Sequence, residues 1–136
     1  MKRIAIECRT VYDDSIWTDA EKTFNISIND AVKKFFSINN GGYPQKDIIT
    51  AGCDEYEVRA FLSLDKSDKN YCIEKPLHFF LENTRTRIVP LAIDSGDNYF
   101  CANNESGKVY YWRADSNTYY LIADSIEEFA ELFGNS

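Results

Sequence analysis

Residues 88–133 read IVPLAIDSGDNYFCANNESGKVYYWRADSNTYYLIADSIEEFAELF, and the punctuation of that stretch decides the fold. Ile88 through Ile93 form a nearly continuous apolar run. This is the pattern of a central strand covered on both faces, with Pro90 confined to a place where its missing N–H does no harm. Asp94-Ser95-Gly96-Asp97 is turn chemistry, in which Asp94 and Asn98 are expected to bond neighbouring backbone while Gly96 takes a positive φ. Residues 98–102, 108–113 and 119–123 read as short strands, separated by turns at 103–107 and 115–118. Together they predict an antiparallel meander. Ser125 and Glu128 have the spacing of a capping box. Behind them Ile126, Phe129, Ala130 and Phe133 share one face of a closing helix, opposite Glu127 and Glu131, and Gly134 ends it.

On the N-terminal side the periods change. Leu77, Phe80 and Leu81 predict a short helix over 76–83, with Pro76 tolerated in its first turn, and a charged loop at 65–70 precedes it. Tyr56, Val58, Ala60, Leu62 and Leu64 alternate with Glu57, Arg59, Phe61 and Ser63, which predicts one strand over 56–64 with a single buried face. Ala31, Val32, Phe35 and Phe36 mark an amphipathic helix with Lys33 and Lys34 turned away. Ser27 and Asp30 open it as a Ser-x-x-acid start, and Asn39-Asn40-Gly41-Gly42 followed by Pro44 stops it. Ile16, Trp17, Ala20 and Phe24 predict a shorter helix within 13–25, and Ile4 and Ile6 a strand within 2–8. The order is helices, a twisted and mostly antiparallel sheet of about five to six strands, and a closing helix. That order makes residues 1–136 a single α+β domain.

Composition limits the function classes. A chain of 136 residues buries roughly two-thirds of its unfolded surface, enough for one core. The net charge is -7, and the acidic excess is spread along the chain: nine basic against twelve acidic side chains in residues 1–68, six against ten in 69–136. Nucleic acid binding needs cations to displace counterions, so the balance argues against it and favours a basic partner. No run approaches the ~20 apolar residues of a membrane span. Cys8, Cys53, Cys72 and Cys101 contain no Cys-x-x-Cys pair, and His78 has no cysteine at zinc-ligand spacing. The expectation is a cytoplasmic protein with reduced, mostly buried thiols and neither metal nor cofactor.

The residues that hint at chemistry have plainer readings. Asp94, Asp97 and Asn98 offer oxygen ligands, yet the segment lacks the spacing and terminal bidentate Glu of a calcium loop. His78 has no Ser-His-acid or Cys-His context. Asp54 with Glu55 and Glu57, and Glu127 with Glu128, read as solvated faces of a loop, a strand and a helix rather than an acid–base pair. Tyr110, Tyr111, Trp112, Tyr119 and Tyr120 sit on adjacent strands. Alternation sends some of them to the core and leaves others available as an aromatic platform for a partner.

Three stretches taken in order carry a resemblance. Residues 30–44 run an amphipathic helix into Asn40-Gly41-Gly42 and Tyr43-Pro44. Residues 88–101 contain the Asp94, Gly96, Asn98 turn. Residues 107–129 join Gly107 and the Tyr110-Tyr111-Trp112 strand to Asp124-Ser125 and the closing helix. This combination resembles the SUKH superfamily, in the branch similar to the yeast Smi/Knr cell-wall-assembly regulators. The chain departs from that pattern where Ile28-Asn29 replaces the usual Leu-Pro, which predicts a looser start to the second helix.

What the resemblance implies is one α+β domain without enzymatic activity, working through protein contacts. Most bacterial members of the branch look like immunity proteins, which bind the toxic domain of a polymorphic toxin, often a nuclease or deaminase. The fungal relatives are regulators, which keeps an intracellular scaffold for a housekeeping protein as the alternative. For the immunity role the expected partner is a basic toxin domain, with this chain a monomer or weak dimer. Asp54, Glu55, Glu57, Tyr110, Trp112 and Tyr120 are the candidate contacts. Asn40, Gly41, Gly42, Pro44, Asp94, Gly96, Asn98, Gly107, Asp124 and Ser125 are expected to build the fold.

Overall fold

The structure, a computed structural model, describes residues 1–134; residues 135 and 136, which the single-domain expectation includes, lie outside the described residues. A two-residue strand β1 (Ile6–Glu7) leads into helices α1 (Ser15–Phe24) and α2 (Asp30–Ile38) and the short strand β2 (Tyr43–Pro44). A hairpin of β3 (Ile48–Ala51) and β4 (Asp54–Glu57) follows, then β5 (Ala60–Phe61) and α3 (Glu74–Asn83). The chain continues through β6 (Ile88–Ile93), β7 (Tyr99–Asn103), β8 (Val109–Arg113) and β9 (Thr118–Ala123), and α4 (Ile126–Glu131) closes it.

Strands β5 to β9 form one antiparallel sheet in chain order, while β1–β2 and β3–β4 are separate two-stranded pairs. All six residues of β6 are buried, as its unbroken apolar run predicts. Pro90 pairs with Cys101 at the edge of a register shift between Pro90 and Ala92, a bulge of the kind at which a sheet tolerates proline. Helices cover the sheet on both sides. On one, Phe129 of α4 meets Phe35 of α2 and Phe100 of β7, each at 6.0 Å between ring centroids. On the other, Phe80 of α3 packs edge-on to Trp112 at 5.0 Å and to Tyr99 at 5.5 Å. Each of the fully buried phenylalanines Phe35, Phe36, Phe61, Phe100 and Phe129 contributes about 1.5–3 kcal/mol in burial. Among the described residues no helix is long and apolar enough to cross a membrane.

The Asn39-Asn40-Gly41-Gly42 run ends α2 and also clasps three segments together. Asn39 is fully buried; its Oδ1 accepts the Ile4 N–H at 2.8 Å and its Nδ2 donates to the Lys2 carbonyl at 3.1 Å. Asn40 Oδ1 accepts the Leu64 N–H at 2.8 Å, and its carbonyl accepts the Thr10 N–H at 3.1 Å. Gly41 and Gly42 both have positive φ, 68° and 82°, and a Cβ on Gly42 would lie 2.3 Å from the Glu7 carbonyl oxygen. Only glycine combines that backbone with so close an approach. Pro44 belongs to the pairing of β2 with β1, opposite Ile6.

Several expectations need correction. The strand expected over 56–64 is two strands in different sheets. Tyr56 and Glu57 pair with β3, whereas Ala60 and Phe61 pair with β6. From Ala60 to Leu64 every residue is buried, because the Gly41–Gly42 segment bonds one edge and β6 the other: Phe61 N–H donates to the Gly42 carbonyl and Leu62 N–H to that of Leu91. Alternation in polarity did not reveal this double cover, nor did it reveal β3. Asn29, and not Ser27, caps α2 by accepting the Ala31 N–H at 2.8 Å. The start of α2 is also not loose. Asn29 N–H donates to Asn104 Oδ1 at 2.8 Å, its Nδ2 to the Asn104 carbonyl at 3.1 Å, and Asn104 Nδ2 to the Ser27 carbonyl at 2.9 Å. In the turn after β6 the positive φ belongs to Asp97, at 64°, and not to Gly96. Of the cysteines only Cys101 is buried; Cys8 and Cys53 are exposed and Cys72 is intermediate.

Candidate functional site

The C-terminal end of the sheet is its least covered part. β9 is an edge strand, hydrogen-bonded to β8 alone. Phe100, Tyr111 and Tyr120 lie in register across β7, β8 and β9 and face the layer of α2 and α4. Tyr99, Trp112 and Tyr119 form the next row and face α3.

On the α3 face, the helix covers only part of the aromatic row. Phe80 is buried, but Phe79 beside it is 48% exposed, its ring 6.1 Å from Trp112. Beyond Trp112, Tyr110 meets Tyr119 edge-on at 6.2 Å, and Leu121 is exposed. A shallow groove runs on both sides of Phe79, bounded by Asn83, Asn117 and Tyr119 on one side and by Lys75, Asp97 and Tyr99 on the other. Burial pushes the Tyr119 phenol up to about 12 and raises that of Tyr99, so both stay neutral donors at ordinary pH.

On the opposite face an aromatic depression opens between the β3–β4 hairpin and β8–β9. Its floor is the Tyr56 and Tyr111 rings, 5.0 Å apart, with the exposed ring of Tyr120 at its side. Asp54 and Glu55 stand on the rim, exposed, and Arg113 is paired with Asp115 at 3.0 Å. Glu57 is already engaged: its carboxylate accepts the Ser95 N–H at 2.8 Å and the Ser95 hydroxyl. Burial raises the Tyr56 phenol, helped by the Asp54 charge. Burial, with the hydrogen bond to Asp94, holds that of Tyr111 well above the ordinary value. The floor is therefore neutral and the rim carries the negative charge. Such a surface attracts cations and repels anions.

The turn that supports this depression is a hydrogen-bonded unit. Asp94 Oδ1 accepts the Gly96 N–H at 2.8 Å and the Asn98 N–H at 2.9 Å. Asn98 Oδ1 in turn accepts the Ala114 N–H at 2.9 Å, tying the turn to the end of β8. At the other end of the meander Gly107, with φ 77°, donates its N–H to the Asn103 carbonyl at 2.8 Å. Asp124 is exposed, and Ser125 Oγ accepts the Glu128 N–H at 3.0 Å to start α4.

A sequence model described as the SMI1 / KNR4 family (SUKH-1) matches residues 13–132. The chain belongs to that family. The SUKH-1 match runs from the residues just before α1 to the end of α4, and only β1 falls outside it. A crystal structure of a protein from Pseudomonas syringae pv. tomato shares the fold with a TM-score of 0.55, at 14% identity, over 90% of this chain and 82% of that one. No curated protein matches the chain.

In this SUKH-1 chain the six candidate contacts do not form one patch. Asp54, Glu55, Glu57 and Tyr120 border the aromatic depression. Tyr110 and Trp112 lie on the other face, where Trp112 is 8% exposed and its Nε1 donates to Asn117 Oδ1 at 2.7 Å. Sequence reasoning missed Tyr56, Arg113 and Phe79 as lining residues. The Tyr111 and Tyr120 pairing was available from strand alternation once the β8–β9 turn was placed. Tyr56 was not, because its hairpin partner β3 carries no strong period.

Proposed function

We propose that this chain is a non-enzymatic protein-binding module of the immunity type, which binds and neutralises a cognate basic toxin domain in the cytoplasm. The observation that carries the reading is membership of the SUKH-1 family over residues 13–132, together with what the resemblance implies for its bacterial branch. The use to which the conspicuous polar groups are put supports it. Asp94 and Asn98 hold backbone, and His78 packs edge-on against Phe24 at 5.2 Å. The net charge of -7 favours encounter with a basic partner.

The test is capture with the tagged chain from its native cells, read by mass spectrometry, followed by co-expression of the captured domain with and without this chain. Capture of a toxin-type protein through a basic terminal domain, with growth rescued only when this chain is present, is the expected result. Capture of a housekeeping protein without any rescue replaces the immunity role with that of a scaffold.

A further inference from the structure

We infer that the depression between the β3–β4 hairpin and β8–β9 is the receptor for a cationic side chain, arginine or lysine, presented by the protein partner. The inference rests on the protein-binding reading above and assigns it a surface.

Two surfaces compete for the role, and charge separates them. The groove beside Phe79 is flanked by Lys75 and Asp97, one charge of each sign, so it selects no ionic partner. The depression has Asp54, Glu55 and Glu57 around three tyrosine rings, and its one cation, Arg113, is neutralised by Asp115 at 3.0 Å. Neither the Asp54 nor the Glu55 carboxylate has a hydrogen-bond or salt-bridge partner among the described residues. They remain exposed on the rim, unlike Glu57.

The chain itself shows how such a surface is filled. Arg59 lies over the Tyr43 ring at 5.3 Å from its centroid, with Tyr71 edge-on to Tyr43 at 6.0 Å. Two tyrosines and a guanidinium satisfy each other there. Tyr56, Tyr111 and Tyr120 present the same kind of rings with carboxylates beside them, and among the described residues no cation lies over any of these three rings. A guanidinium or ammonium group on this floor gains both the ring quadrupole and the rim charge, and its alkyl stem covers the exposed Tyr120 ring. Arginine is favoured over lysine, since its flat face stacks and its fork pairs with carboxylates.

The test uses a blocked Gly-Arg-Gly tripeptide, with the citrulline analogue as the uncharged control, titrated into the full chain and followed by NMR of the tyrosine rings. The expected result is shifts centred on Tyr56, Tyr111 and Tyr120 with the arginine peptide, weakened at least about tenfold in D54N/E55Q and in Y120A. Both variants alter exposed side chains, and their amide spectra report that they fold. Equal shifts from the citrulline peptide, shifts centred on Phe79, or no shift up to about 10 mM peptide each overturn the inference. Failure of the wider reading is seen separately. A natural partner bound equally by wild type and D54N/E55Q keeps the binding module and removes this surface from it.

Discussion

The Tyr111 hydroxyl donates to Asp94 Oδ2 at 2.5 Å, so the middle of β8 is fastened to the turn that follows β6. One carboxylate thereby serves the turn through Oδ1 and the sheet through Oδ2. Hydrogen bonds to charged acceptors are worth about 1.5–3 kcal/mol when buried. Tyr111 is only half-buried, so Y111F is expected to cost about 1–2 kcal/mol, and D94A more, since it also frees the Gly96 and Asn98 N–H groups. Urea denaturation of the two variants checks the order.

The same phenol fixes the sign of an alkaline effect. Burial first, then the hydrogen bond to Asp94, raises the Tyr111 pKa in the folded chain. A raised acid binds its proton more tightly when folded. Its stabilisation is thus complete below the unfolded value of about 10 and is lost as pH rises from there towards the folded value. Y111F is expected to be less stable than wild type at pH 7 and to lose less stability between about pH 9 and 11. Thermal melts across that window measure it.

Glu21 gives the opposite limb. Burial alone would raise its pKa, but its hydrogen bond from Ile28 N–H at 2.8 Å and its pairing with Lys33 at 2.9 Å outweigh burial and lower it. A depressed carboxylate contributes stability above its unfolded pKa of about 4.3, which is lost as pH falls through the folded value. E21Q is expected to flatten the stability profile below about pH 5, leaving the slope above pH 6 unchanged.

Two glycines with similar φ should respond differently to alanine. Gly42 has φ 82° and a backbone oxygen 2.3 Å from where a Cβ would lie; Gly52 has φ 65° and nothing within 4 Å. G52A is expected to cost about 1 kcal/mol for left-handed backbone alone. G42A adds a clash that only backbone movement relieves, for a total of about 3 kcal/mol or more. Denaturation midpoints of the pair distinguish conformational strain from contact.

Asn29 stands where the family resemblance leads one to expect proline, and its φ of -52° suits that ring. Restoring proline should nonetheless destabilise. It gains about 0.4–1 kcal/mol from a stiffer unfolded chain but removes the α2 cap and both bonds from Asn29 to Asn104. N29P is expected to lose about 1–2 kcal/mol net, measured by thermal melting against N104A.

The sequence was most legible where one residue's environment depends on near neighbours. The meander from Ile88 to Ala123, the Ser125 cap and the faces of α1, α2 and α4 follow from period and turn residues a few positions apart. It was least legible where distant segments meet. The break at Val58 and Arg59 depends on backbone bonds to Asp47 and Ile93, and nothing local to 56–64 announces them. The depression is of the second kind: Tyr56 reaches Tyr111 from 55 positions away. The rims could be named as acidic, but their shared floor could not.

The clasp at Asn39–Gly42 also bears on the order of assembly. Each hairpin of the meander closes a loop of a few residues, whereas Asn39 to Ile4 spans 35 positions and Asn29 to Asn104 spans 75. Short loops are cheap to close and long ones are not. The meander is therefore expected to nucleate folding, with the N-terminal segment docking after the rate-limiting step. A lesion in the clasp such as G42A should then quicken unfolding and barely slow refolding, while a lesion in the β7–β8 core slows refolding itself. On this expectation the meander is the template, and the N-terminal segment is the latch that sets how long the folded state lasts.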